Sequence, residues 1–139
     1  MSTTPIFTIA GEAMRLEKLR IDMVANNIAH EHTIMTPNGT PYKAQQVVAT
    51  ASSFEDFLNG STAPFSEITY VSEDLPPNKV YEPNHPFADK DGFIQYPGIN
   101  KVDEMTTLLS AERSYEANLK LVNTAYRLTL QTLHLGEEK

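Results

Sequence analysis

The chain has 139 residues, of which 40% are hydrophobic and 21% charged, and its formal net charge is −7. This length fits one domain, or one elongated unit with an inserted subdomain, and the composition is not that of a disordered chain. No Lys/Arg cluster is present to bind phosphates, which argues against a nucleic-acid partner, and the lack of cysteine excludes disulfides and thiolate chemistry.

Neither a secretory signal nor a membrane-spanning segment is predicted. Residues 1–18, MSTTPIFTIAGEAMRLEK, lack a basic stretch followed by an apolar core. No run of about 20 apolar residues occurs, so we expect no direct membrane span. If the protein leaves the cytoplasm, we expect export without a cleaved signal peptide.

An N-terminal axial helix is predicted within residues 1–32. Hydroxyl side chains at residues 2–4 suit its N-cap, and Pro5 suits its first turn. Apolar residues then recur at helical spacing, at Ile6, Ile9, Ala13, Leu16, Leu19, Met23 and Ile28. Asn26 and Asn27 near the helix end allow two interpretations: a solvated end, or amides that bond to neighbouring backbone at a crowded junction.

Residues 33–99 are predicted to form a β-rich insertion with loops. The segment holds eight of the nine prolines and four of the six glycines. Asn-Gly pairs at 38–39 and 59–60 are turn signals. Short strands are predicted at residues 42–49, 65–71, 79–81 and 93–96. Residues 50–64 form a predicted loop, in which Phe54, Phe57 and Leu58 could form a short helix.

A C-terminal axial helix is predicted within residues 100–139, spanning residues 100–135 and ending at a C-cap on Gly136. One apolar stripe contains Met105, Leu108, Tyr115, Leu119, Val122, Tyr126, Leu130 and Leu133. A second contains Leu109, Leu121, Leu128 and Leu135. At 1.5 Å per residue the helix is about 50 Å long. A compact chain of this size is about 35–40 Å across, so an elongated molecule is predicted.

No catalytic, cofactor-binding or metal site is predicted. The spacing of residues 30–32 (HEH) does not place two imidazoles on one helix face. Residues 89–92 (DKDG) depart from the calcium-loop pattern and fit a tight turn. No nucleophile elbow, phosphate loop or dinucleotide fingerprint is present. We therefore expect a protein that is not an enzyme and that needs no cofactor.

The two helices are expected to pair along one face each, which leaves a further apolar face exposed on a monomer. The residues assigned to helix pairing and assembly are Leu16, Leu19, Met23, Asn26, Asn27, Ile28, Met105, Leu108, Tyr115, Asn118, Leu119, Val122 and Tyr126. The residues assigned to contacts between subunits are Leu109, Leu121, Leu128 and Leu135. For Tyr115 and Tyr126, ordinary intramolecular packing is the alternative.

Three stretches carry a resemblance to a known family. They are residues 19–29 (LRIDMVANNIA), residues 39–43 (GTPYK) with Val47 and Val48, and a third stretch that begins at residues 80–86 (VYEPNHP) and continues through residues 88–89, 92–93 and 104–105 to residues 113–118 (RSYEAN). All three resemble segments of the flagellar axial rod and hook family. Within that family, the chain is most similar to the proximal-rod proteins of the basal body. Together the segments extend over most of the chain.

The resemblance implies a mainly α fold with a small β-rich insertion, elongated, with the terminal helices paired in a coiled-coil-like unit. It implies a structural rod subunit, exported by the flagellar type III apparatus and assembled in the periplasm. The implied partners are further copies in a helical assembly, other proximal and distal rod proteins, the base-adaptor protein of the MS ring and the export gate. The alternative function is a soluble helical adaptor or export chaperone that binds one partner helix.

Overall fold

The computed structural model describes residues 4–34, 42–58 and 64–137, and this part of the chain is mainly helical with a small β part. In chain order the elements are α1 (Thr4–Ala29), β1 (Gln45–Ala51), α2 (Phe54–Leu58), β2 (Phe65–Ser72), β3 (Asn78–Tyr81), β4 (Phe93–Tyr96) and α3 (Lys101–Glu137). Helix α3 has 37 residues and is therefore about 55 Å long.

Helices α1 and α3 pack against each other along their length. Asn27 in the last turn of α1 bonds to Glu104 in the first turn of α3, so the two helices run antiparallel. At equal rise per residue, Thr4 at the start of α1 lies beside about residue 127 of α3. Roughly the last ten residues of α3, about 15 Å of helix, therefore extend beyond the start of α1.

The face of α3 that meets the rest of the molecule follows a regular spacing. Its less exposed positions, apart from Ser114 beside Tyr115, are Glu104, Leu108, Ala111, Tyr115, Asn118, Val122, Ala125 and Thr129. The gaps between them alternate between four and three residues, which is the spacing of a helix–helix seam. The most deeply buried of these positions is Ala111, which has a small side chain and is only 2% exposed.

The strands form two separate two-stranded antiparallel sheets, β1–β2 and β3–β4. In the first, Gln45 pairs with Ser72, and a bulge between Thr50 and Ala51 shifts the register. Strand β1 also packs against α1. The buried side chains of this region include Val47 in β1 and Ile94 in β4, which is fully buried.

Most predicted boundaries lie within three residues of those in the structure. The short helix predicted from Phe54 to Leu58 is confirmed as α2. The first strand begins at Gln45 and not at residue 42, because Tyr42 bonds to α1 and not to another strand. The C-cap prediction at Gly136 is wrong: α3 continues through Gly136 to Glu137, and no positive φ occurs there. The turn signals at 38–39 and 59–60 lie outside the described residues.

The predicted tight turn at residues 89–92 is confirmed and ends at a glycine that the conformation requires. The Asp89 carboxylate accepts bonds from the Asp91 and Phe93 amides, at 2.9 Å each. Gly92 follows with φ of 80°, in the left-handed region that disfavours a side chain. A Cβ on Gly92 would also lie 2.9 Å from Tyr81 Cε2 and 3.2 Å from Pro83 Cβ.

Gly92→Ala is expected to destabilise the protein by about 1–2 kcal/mol, because the new methyl group meets both strain and a close contact. Gly11→Ala is the matched control, since Gly11 lies inside α1 and a Cβ there has nothing within 4 Å. That change should stabilise the protein by about 0.5–1 kcal/mol. Urea unfolding of both variants tests the pair. Equal effects at the two glycines would contradict the turn geometry.

Candidate assembly interface

The end of α1, the start of β1 and the start of α3 meet at one buried amide, Asn27, which is 2% exposed. Its Nδ2 donates to the Gln45 carbonyl oxygen at 2.9 Å and to Glu104 Oε1 at 3.3 Å. Its Oδ1 accepts from the Gln45 amide at 3.0 Å and from the Tyr42 hydroxyl at 2.9 Å. Of the two interpretations of this amide pair, the crowded junction therefore applies to Asn27, whereas Asn26 is exposed.

Two stacked aromatic rings lie next to this junction, at the end of α1. The His30 ring stacks on the Tyr42 ring, with centroids 4.5 Å apart and planes 12° apart. His30 Nδ1 lies 2.8 Å from the Asn26 carbonyl oxygen, which fixes the ring against the end of α1. Burial raises the pKa of the Tyr42 hydroxyl, and the nearby Glu104 charge raises it further. Tyr42, which precedes β1, is thus held against the end of α1 by these contacts.

Glu104 is a partly buried carboxyl group at this junction, and its surroundings disfavour the ionised form. Burial raises the pKa of its carboxyl group, and the bond from Asn27 offsets only part of that effect. The carboxylates of Glu73 and Asp103 raise the pKa further, since like charges disfavour ionisation. Folding therefore favours the protonated form of Glu104 relative to the unfolded chain.

The pH dependence of stability tests this description. Because the folded-state pKa of Glu104 is raised, its protonated form stabilises the fold at low pH, and that stability is lost as pH rises through the folded-state pKa. Glu104→Gln removes this loss and keeps an acceptor for Asn27. We expect the variant to gain thermal stability over the parent at pH 7 and less at pH 4.

Glu112→Gln, at an exposed position of the same helix, is the matched control for that experiment. Melting temperatures of all three proteins across this pH range give the comparison. A Glu104→Gln variant that is less stable than the parent at pH 7 would show that the ionised carboxylate is favoured by its surroundings.

The residues predicted to pair the helices differ widely in exposure. Leu16 and Asn27 are buried, whereas Asn26, Met105, Leu119 and Tyr126 are exposed. The others are half-buried: Leu19, Met23, Ile28, Leu108, Tyr115, Asn118 and Val122. The buried face of α3 thus lies to one side of the predicted stripe, since Met105, Leu119 and Tyr126 flank it. The assignment of these residues to pairing and assembly remains a prediction.

The four leucines assigned to contacts between subunits are all exposed on the single chain. Leu109, Leu121, Leu128 and Leu135 are 53%, 49%, 56% and 71% exposed. The last three recur at seven-residue steps and share one flank of α3, which we call the leucine ridge. Leu109 precedes Leu121 by twelve residues and lies about 120° away around the helix, so it belongs to a different face.

A cleft of about 530 Å³ lies where α1, β1 and α3 meet, beside the Asn27 junction. On the α3 side its lining residues are small or acidic, and they include Thr107, Ser110, Ser114 and Asp103. Further acidic residues come from elsewhere, since Glu17 and Glu73 also line it. We call this space the junction cleft.

The described residues show surfaces for packing and no cluster suited to metal chemistry. No group of three or more His, Cys, Asp or Glu side chains is arranged for a metal ion in this part of the chain. The described helices also include none that is long and apolar enough to cross a membrane.

Sequence reasoning missed three contributors to this region. Tyr42 and Gln45 bond to Asn27 from 15 and 18 residues away, and no local pattern indicates that pairing. Ala111 was missed because the apolar stripe was traced through large side chains alone. The alternating spacing of three and four residues from Leu108 to Val122 is the signal that could have found it.

Comparison with known proteins finds similar proteins along nearly the whole chain. A family model described as the C-terminal region of flagellar basal body rod FlgEFG proteins matches residues 90–133. The flagellar basal-body rod protein FlgC of Salmonella typhimurium is 37% identical over 138 residues, which cover 99% of this chain and 100% of the relative. The protein of the same name from Escherichia coli O6:H1 is 36% identical with the same coverage. That from Borreliella burgdorferi is 31% identical over 84% of this chain and 86% of its own length.

Proposed function

The chain belongs to the flagellar basal-body rod protein FlgC family, and we propose that this structural subunit of the rod assembles through its two long helices into the proximal part of the drive shaft. The observation that carries this is 37% identity over 99% of the chain to a rod protein that is itself matched over its full length. The alternative of an adaptor or export chaperone is not favoured, because the relatives carry the rod-protein name.

Exposed apolar surface on α3 supports assembly. Large apolar side chains remain at least 39% exposed at Val102, Met105, Leu109, Leu119, Leu121, Tyr126, Leu128, Leu130, Leu133 and Leu135. Exposed apolar surface of this extent on one helix marks interaction sites. Burial of a half-exposed leucine contributes about 1 kcal/mol, so several together can hold a subunit in place.

The unpaired end of α3 strengthens this argument. Leu128 and Leu135 lie on one side of it, whereas Leu130 and Leu133 lie roughly opposite, so no single packing partner covers all four. Beyond the start of α1, no other helix in the described ranges 4–34, 42–58 and 64–137 packs on α3. We infer that at least two neighbouring subunits cover this end of α3 in the rod.

Torque transmission follows from how such helices resist sliding. In the rod we expect side chains at the seam positions to interdigitate as in a coiled coil, so that many of them must move together before one helix slips past another. The junction at Asn27 adds a fixed link between the helix pair and the β insertion. A shaft built from such subunits is stiff against twisting, which is the mechanical property that a rod requires.

We propose the following neighbours and location for the subunit. It assembles with further copies of itself and with other proximal and distal rod proteins, between the base-adaptor protein of the MS ring and the distal rod. It reaches the periplasmic rod through the flagellar export gate without a cleaved signal peptide. No catalytic activity, cofactor or nucleic acid forms part of this proposal.

Removal and restoration of the gene test the proposed function. A deletion strain is expected to be non-motile and to form basal bodies that lack a complete rod. The full-length chain, expressed from a plasmid, should restore motility and should copurify with isolated basal bodies. Complete rods in the deletion strain would contradict the proposal.

A further inference from the structure

The leucine ridge and the junction cleft lie on the same flank of α3, which we call the ridge flank. The cleft lies near the N-terminal end of the helix and the ridge near its C-terminal end. Thr107 and Ser114, which line the cleft, precede Leu121 at seven-residue steps, and the steps continue through Leu128 to Leu135. The N-terminal half of this flank of α3 therefore carries small side chains beside a cavity, and the C-terminal half carries large exposed leucine side chains. Resting on the proposed function, we propose that the leucine ridge of one copy packs into the junction cleft of a second copy.

Charge favours this pairing. Glu17, Glu73, Asp103 and Glu104 line the cleft, and the one arginine there, Arg20, already bonds to Glu17 at 3.0 Å. The cleft therefore carries excess negative charge.

Beside the ridge runs a basic stripe of complementary sign. Arg113, Lys120 and Arg127 are exposed and recur every seven residues, each one position before a residue of the ridge flank. Within residues 4–34, 42–58 and 64–137, none of these three side chains takes part in an ion pair. A long basic side chain next to the ridge can therefore reach the cleft carboxylates of the copy that receives the ridge.

The contact is heterologous, because its two halves are different surfaces of the same chain. The middle of the cleft at Ser110 and the middle of the ridge at Leu128 are 18 residues apart, about 27 Å along α3. Each copy that provides a ridge still has a free cleft, so the contact repeats from copy to copy, and it generates a helical assembly when the rotation between copies does not close a ring. A second copy is the occupant of the cleft because this chain itself carries, beside the ridge, a basic stripe of complementary charge.

Disulfide crosslinking tests the proposal, because the chain has no cysteine of its own. The test variant carries Ser110→Cys in the cleft and Thr124→Cys between two ridge leucines, which leaves the ridge intact. These positions are about 21 Å apart on one rigid helix, whereas a disulfide needs Cα atoms within about 7 Å. Any disulfide must therefore join two copies. The control carries Ser110→Cys with Asn123→Cys, which points away from the ridge flank.

Basal bodies are isolated from cells expressing each variant, oxidised and analysed on non-reducing gels. We expect the test variant to form a ladder of linked copies longer than dimers, at least tenfold more abundant than in the control. An equal or stronger ladder in the control, or no ladder although the chain is present, would overturn the ridge-to-cleft contact and leave the rod function standing. If neither the variants nor the parent chain is found in basal bodies, both the ridge-to-cleft contact and the rod function are contradicted.

Discussion

Leu121→Asp is expected to abolish incorporation into the rod while leaving the fold of the free chain unchanged. Leu121 is 49% exposed on the single chain, so the aspartate stays hydrated there and costs only the small difference in helix propensity. In the rod, the same carboxylate would be buried without a partner, and in the proposed contact it would also face the acidic residues of the junction cleft, at a cost of several kcal/mol per subunit. Motility, and the amount of chain in isolated basal bodies, measure the effect.

Leu58→Asp provides the matched control, because Leu58 is 71% exposed in α2, outside the long helices. It removes the same apolar side chain and adds the same charge, and we expect rods to form. Circular dichroism should show equal helix content for both variants. Normal rods from Leu121→Asp would refute the assignment of the leucine ridge to contacts between subunits.

Asn27→Ala is expected to lower the free energy of unfolding by about 3 kcal/mol. The change removes four hydrogen bonds and leaves the Gln45 amide and carbonyl, together with the Tyr42 hydroxyl, without their partner. Each buried group left unpaired costs about 1–3 kcal/mol. Because domain stabilities are commonly about 5–15 kcal/mol, the loss is a large fraction of the total. Urea unfolding of the purified chain gives the measurement.

The neighbouring amide offers the control for that variant. Asn26 has the same side chain, one residue earlier, and is exposed, so Asn26→Ala should change stability by less than about 0.5 kcal/mol. If the two alanine variants lose equal stability, the buried amide does not hold the junction. We also expect hydrogen exchange in β1 to accelerate only in Asn27→Ala, because Asn27 links that strand to α1.

The long helices were predictable because their signals are local. Each has sustained apolar periodicity, and the first has a proline in its first turn, so the predicted ranges, 1–32 and 100–135, lie within three residues of α1 and α3 in the structure. The end of α3 was misplaced because Gly136 has the residue type of a C-cap. A glycine in that position also continues a helix at a cost of only about 1 kcal/mol.

The face by which α3 packs was less predictable. Large apolar residues occur on several faces of this helix, so a search for them selects Leu119 and Tyr126, which are exposed, and omits Ala111, which is buried. A small residue such as Ala111 has little apolar signal of its own, and whether it is buried depends on the elements that pack against it. The Asn27 junction likewise depends on residues far away in the chain, whose pairing arises only when three elements meet.

The accessibility of one position on the ridge flank tests most directly whether α3 is covered in the rod. Ala117→Cys places a small thiol on that flank, at a position exposed on the single chain. Its rate of alkylation is measured in the purified chain and in isolated basal bodies. We expect at least tenfold protection in the basal bodies, because a neighbouring subunit covers the flank. Equal rates in the two states would show that this flank of α3 faces water in the assembled rod and would contradict assembly through it.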